Sequence, residues 1–230
     1  MTTADLNALR DRILGQIPRC PGSFVTASIR QAVMDFLKAS EVWHYEFEDL
    51  DLVAGQASYA LTLPAAMSTG VQIWRINYIT IQGAPSVARY DFDYVLVPGS
   101  AGPPVVPDTY EYQLVFKTRW IPQVSQTAAM NVHVTLVPAV VSGYVEPRIW
   151  NQWEDAFYSA AKEVLFTSST RPWYDAKAAA KAADETAVWL ARARQEQARQ
   201  FGSQGELKMQ NAEDWIQREG WLGSPEGWLT

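Results

Sequence analysis

Two histidines, one cysteine and one dense run of acids are the residues whose chemistry could make a site. His44 sits in Trp43-His44-Tyr45-Glu46, and His133 lies between Val132 and Val134. An H-x-E pair falls short of a zinc or deaminase signature, which needs further Cys or His ligands at set spacing. His133 alternates with valines, so it projects from one face of a strand and reads as structural. Cys20 has no neighbouring pattern that would make it a nucleophile, and a lone cysteine closes no intrachain disulfide. No G-x-S-x-G, P-loop, H-E-x-x-H or dinucleotide fingerprint occurs in the sequence. The expectation is a protein with no catalytic residues, no metal and no cofactor, and so not an enzyme.

The acidic run is Glu46, Glu48, Asp49 and Asp51. Its simplest reading is a solvated strand edge. The sharper readings are a repulsive wall facing DNA, or a metal site. Lys and Arg total 19 against 25 Asp and Glu, a formal net charge of −6. A protein that grips phosphate shows a basic face, because its cations displace condensed counterions. That class is disfavoured here, although an acidic wall can surround DNA without holding it. Asp5, Arg10, Asp11 and Arg12 interrupt any signal-peptide core, and no apolar run approaches a membrane span. Folding in the cytosol, with no membrane partner, is the expectation.

The elements that would position these residues follow from periodicity. Leu6, Leu9, Ile13 and Ile17 recur at helical spacing, with Asp5 as N-cap and Pro18 and Pro21 as stops. Ile29, Val33, Phe36 and Leu37 line one face of a second helix that ends near Trp43. From Glu46 the period becomes two. Strands are expected within 46–52, 58–63, 71–81, 87–96, 110–120 and 131–137, separated by Gly- and Pro-containing turns. Their even spacing points to an antiparallel sandwich or small barrel. Glu146-Pro147 reopens the helical regime, with Ile149, Trp153, Ala156, Phe157, Ala160 and Val164 in one stripe. Thr167–Thr170 breaks it, and an alanine-rich helix follows over about residues 175–200.

Such short helices need a partner surface, so those from the two chain ends are expected to share a core. The fold class is then α+β. Residues 1–45 and 146–202 form a helical bundle, and 46–145 form a central antiparallel β insertion. Ser203-Gln204-Gly205 reads as a flexible break, so 203–230 become an extended C-terminal arm. Ten tryptophans are many for this length. Trp215, Trp221 and Trp228 stand among charges and glycines, where no local core is evident. They are expected to anchor the arm in pockets of a partner or neighbouring subunit.

The order of these pieces resembles the head-to-tail adaptor proteins of short-tailed phages, the tail tubular protein A-like group. The likeness rests on the paired N-terminal helices with a Pro-Gly break, and on Leu50-Asp51-Leu52-Val53-Ala54-Gly55-Gln56-Ala57-Ser58-Tyr59-Ala60-Leu61. It also rests on Trp153-Glu154-Asp155-Ala156 leading to Arg171-Pro172-Trp173-Tyr174-Asp175, and on the Ala- and Arg-rich last helix. It spans about Leu6 to Gly202. The resemblance implies a non-catalytic virion protein, assembled in the host cytoplasm, that forms a closed ring (a dodecamer) in the tail neck. Its partners would be further copies of itself, the portal and the tail nozzle, with genomic DNA passing through the lumen unbound. Another tail component, such as a nozzle or head-completion protein, is the nearer alternative. A cellular ligand-binding module with its pocket in the β domain is the more distant one.

Overall fold

A computed structural model describes residues 3–17, 19–64, 67, 70–82, 92–98, 110–139, 144–168 and 170–217. Four α-helices and six strands are assigned among them: α1 (Thr3–Leu14), α2 (Gly22–Ser40), β1 (His44–Leu52), β2 (Ser58–Leu61), β3 (Val71–Ile81), β4 (Phe92–Pro98), β5 (Tyr110–Phe116), β6 (Gln126–Pro138), α3 (Pro147–Thr167) and α4 (Ala176–Gln217). The class is α+β. The chain divides into two compact units. One gathers Met1–Trp43, Ala66–Trp74 and Leu136–Gln200; the other gathers His44–Ala65, Arg75–Thr135 and Phe201–Thr230.

In the first unit α2 packs along α3, and α1 touches both. Val25, Ile29, Val33, Phe36 and Leu37 of α2 are buried at helical spacing, as are Ile149, Trp153, Ala156, Phe157 and Ala160 of α3. Phe36 is the ring that joins them. Its centroid lies 5.8 Å from Trp153 and 5.6 Å from Phe157, the latter at 89°. Edge-to-face pairs of this kind add about 0.5–1.5 kcal/mol beyond area burial. α1 is tied to α3 by Arg12–Asp155 at 3.1 Å and by Gln16 Nε2 donating to Tyr158 Oη at 2.6 Å. Asp5 does not cap α1, which begins two residues earlier; it lies in the first turn, where a carboxylate still complements the helix dipole.

α4 is seated differently. Among its residues up to Arg199, Ala182, Thr186 and Ala193 are buried, while Val188 is 69% exposed. Trp189 sets its ring edge-on to Trp153 at 6.5 Å, and polar tethers add to that contact. Gln152 Nε2 donates to Glu196 at 2.6 Å, Ser159 Oγ to Glu185 at 3.3 Å, and Arg194 Nε to the Ala39 carbonyl at 3.2 Å. Asp175 Oδ1 accepts the backbone N–H groups of Lys177 and Ala178, each at 3.0 Å, and so caps the helix start.

The expected break at 203–205 is not where the helix stops. α4 runs 42 residues, about 63 Å at ~1.5 Å per residue, and carries Ser203-Gln204-Gly205 inside it. Residues 203–217 are therefore helical rather than extended. Propagation gains a hydrogen bond for each residue fixed, and one interior glycine costs only about 1 kcal/mol. The good formers Glu206, Leu207, Lys208, Met209 and Gln210 follow at once.

The strands form two three-stranded sheets, ordered β1-β6-β3 and β2-β5-β4. Gly70, Asn77 and Gln82 meet Ala139, Thr135 and Ala129 respectively, so β3 runs antiparallel to β6, as β1 does. In the second sheet β5 is central and antiparallel to both neighbours. β6 is longer than its apolar run predicts and starts at Gln126. Its C-terminal half, Val132, Val134, Leu136 and Val137, is fully buried. Gly55, at φ 76°, turns the chain between β1 and β2, and its N–H reaches the Pro122 carbonyl at 2.8 Å. The left-handed φ suits glycine, although a Cβ there would meet nothing within 4 Å.

Candidate functional site

One face of the β1-β6-β3 sheet is polar, and it collects both histidines. The alternation Asn131-Val132-His133-Val134-Thr135 puts the valines in the core and the three polar residues on the opposite face. Glu46 is the register partner of His133, and His44 that of Thr135. On β3 the buried positions shift phase between Ile76 and Ile79, which leaves Asn77 and Tyr78 both off the core side. A local irregularity of this kind re-aims side chains.

The residues form two linked groups. In the first, His133 Nε2 lies 2.8 Å from Glu46 Oε1, which also accepts Asn131 Nδ2 at 3.0 Å. The Tyr78 ring stacks on the His133 imidazole, centroids 4.0 Å apart. Burial, and then the Glu46 carboxylate, push the Tyr78 phenol above its usual range, so it stays protonated. In the second group, Asn77 Oδ1 accepts Arg75 Nε at 3.3 Å and Thr135 Oγ1 at 3.1 Å, and Asn77 Nδ2 faces His44 Nδ1 at 3.3 Å. Burial, then His133, then Arg75, hold the His44 pKa down to about 4. An imidazole backed by a carboxylate is an oriented acid–base group. Beside it here are a carboxylate held by the Asn131 amide and a phenol kept neutral.

No protein-family model matches the chain, and no curated protein matches it. The site therefore has to be read from its own geometry. Among the described residues, no group of three or more His, Cys, Asp or Glu side chains is placed to hold a metal. Cys20 lies in the other unit, buried; its thiol is pushed up by burial, with Arg171 acting against that. It is no preformed thiolate.

The four acids of the sequence run are held in different ways. Glu46 is turned to His133 and Asn131. Asp49 sits at an interruption of the β1–β6 register, at φ 55°, with its N–H donating to Asn131 Oδ1 at 3.1 Å. Asn131 thus holds the bulge and orients Glu46 with opposite ends of one amide. Asp51 Oδ1 accepts the N–H of Ala128 at 2.8 Å, and Ala128 is itself at φ 49°. Neither the Glu48 carboxylate nor that of Asp49 makes any of these bonds, and both residues are exposed. Asp51→Ala should release the strained Ala128 turn and cost about 1 kcal/mol, the scale of one charge-assisted bond at an exposed site. A urea midpoint unchanged from the parent protein would show that the bond contributes nothing.

The three tryptophans expected to bind a partner fall at or beyond the end of the described residues. Trp215 lies on the α4 backbone, and its side chain is outside the described residues, as are Trp221 and Trp228 altogether. Asn77, Asn131 and Thr135 do not titrate, and Tyr78 titrates only at high pH, so sequence motifs pass over all four. The period-two polar run 131, 133, 135 was the available signal for two of them.

Proposed function

We propose that this chain is a structural adaptor of a phage virion, a ring-forming protein set between portal and tail nozzle. In this reading α1, α2, α3 and the first part of α4 make a helical bundle, and the strands are an insertion in it. The observation that carries the reading is the packing of α2 on α3, with Phe36 against Trp153 and Phe157. Helices from opposite ends of the sequence share one core, with the strands between them in order. That is the layout the resemblance to short-tailed phage adaptors implies. The braced polar face, with Glu46 held by His133 and Asn131, fits a structural role.

The mechanism is mechanical. Copies close a ring, a dodecamer in the proposal, through heterologous contacts. Trp215, Trp221 and Trp228 dock on the portal or a neighbouring copy. Exposed carboxylates such as Glu48 face passing DNA and repel its phosphates, which limits sticking during ejection. The protein is assembled in the host cytoplasm and resides in the virion neck.

The test mixes the full chain with portal rings from the same genome and images the product. The expected result is a closed ring on one end of the portal, formed less readily when residues 218–230 are removed. A chain that stays monomeric and leaves the portal bare overturns the proposal. If it instead binds a nozzle or capsid protein, it is another virion component. Saturable uptake of a small molecule by the monomer would favour a ligand-binding module.

A further inference from the structure

The amide of Asn77 fixes the protonation of His44. A guanidinium nitrogen only donates, so the Asn77 atom 3.3 Å from Arg75 Nε is the carbonyl oxygen. The same oxygen takes the Thr135 hydroxyl at 3.1 Å. The amide nitrogen is then the atom 3.3 Å from His44 Nδ1. An amide nitrogen only donates, so Nδ1 must accept, and the ring is the neutral tautomer protonated at Nε2. A proton on Nδ1 would set N–H against N–H. Turning the amide over would cure that contact but point its NH2 group at Arg75. Neither state satisfies all three partners.

We propose that His44 is an acid-sensitive strain point of the β1-β6-β3 sheet: taking a proton at Nδ1 makes Asn77 turn its oxygen to the ring and its NH2 group to Arg75, a contact between two donors that destabilises the sheet. Burial, then His133, then Arg75 oppose that proton, and the titratable and charged groups around it are these. From β6 comes His133, hydrogen-bonded to Glu46 of β1. From β3 come Arg75 and Tyr78, the latter stacked on His133. The Glu46 carboxylate, the one nearby anion among these, is already engaged by His133 and Asn131.

The direction with pH follows. An unfolded chain takes the proton near 6.5, whereas the folded site takes it only near 4. The unfolded state therefore binds more protons between these values, and stability falls as pH falls through that window. Above 6.5 the ring is neutral in both states, and the sheet keeps its full stability.

The chain has two histidines, so a ring-nitrogen NMR spectrum of the full chain holds two sets of signals, assigned by His133→Gln. One ring, His44, should remain the Nε2–H tautomer well below pH 6.5 and charge together with loss of sheet signal. His44→Gln keeps an acceptor and has no proton to gain. It should move the acid transition to lower pH by about one unit. Asn77→Asp offers an acceptor to all three partners, and should raise the His44 titration above the ordinary histidine value while uncoupling it from the sheet. Titration of His44 at its ordinary value in the parent protein overturns the proposal, as does an acid transition that His44→Gln leaves in place. The parent titration needs no variant, so a substitution that fails to fold does not shield the idea.

Discussion

Phe157→Ala should lower the stability of the helical unit by about 3–5 kcal/mol, the range for removing a fully buried phenylalanine. Phe157 is 0% exposed and touches two other rings, Phe36 at 5.6 Å and Trp150 at 5.3 Å. The substitution removes apolar area, breaks an edge-to-face pair and leaves a cavity beneath α2. The ring above it belongs to the other end of the chain, so the cavity has no local segment that can fall in to fill it. Domains of this kind are stable by about 5–15 kcal/mol, so the loss is a large share of the whole. A urea titration followed by tryptophan fluorescence measures it. A loss below about 1 kcal/mol would mean that α3 tolerates a gap there and that the two chain ends are not one core. Val164→Ala, at a position 38% exposed on the same helix, should cost far less and serves as the comparison.

The helices were legible because their apolar residues repeat. Ile29, Val33, Phe36 and Leu37 mark one face at a period no strand could use, and Pro147 marks a start. The end of α4 was not legible. Gly205 and Ser203 are breakers by local preference, but a helix already propagating carries them. The sheets were half legible. β3 fills the whole apolar run from Val71 to Ile81, whereas β6 begins five residues before its predicted start, because Gln126–Met130 pair through backbone bonds that no side-chain pattern announces. The bulges at Asp49 and Ala128 depend on partners far along the chain, Asn131 and Asp51, and are invisible to local propensity.

The candidate site shows the same division. Neither histidine carries a motif of its own, and each is engaged by strands far along the chain, His133 with Glu46 and His44 with Asn77. What single-residue reading cannot supply is the register that sets Glu46 opposite His133 and His44 opposite Thr135. One residue of slip in β1 would send His44 and Glu46 into the core and bring Tyr45 and Phe47 out. The polar face is thus a consequence of strand pairing. The bulge that Asn131 holds is part of what fixes that pairing.

Val134→Asp should be the most damaging single change in the sheets, costing about 4 kcal/mol or more. Val134 is 0% exposed on β6, the strand flanked by β1 and β3, and pairs with Tyr45 in the register. The next residue, Thr135, is equally buried but polar, and it is tolerated because its hydroxyl donates to Asn77. The sheet's hydrogen-bonding side chains, Asn77, Asn131 and His133, lie on that polar face. A carboxylate at 134 points the other way, on the face of the buried Val132, Met130 and Leu136. It must then be buried charged, take up a proton at a cost, or drag water into the core. Val134→Ala isolates the packing loss from the charge and should cost about 2 kcal/mol. The difference between the two variants, read as separate urea midpoints, is the penalty for the buried acid. Equal midpoints would place residue 134 on the polar face and reverse the assignment of the two sides of the sheet.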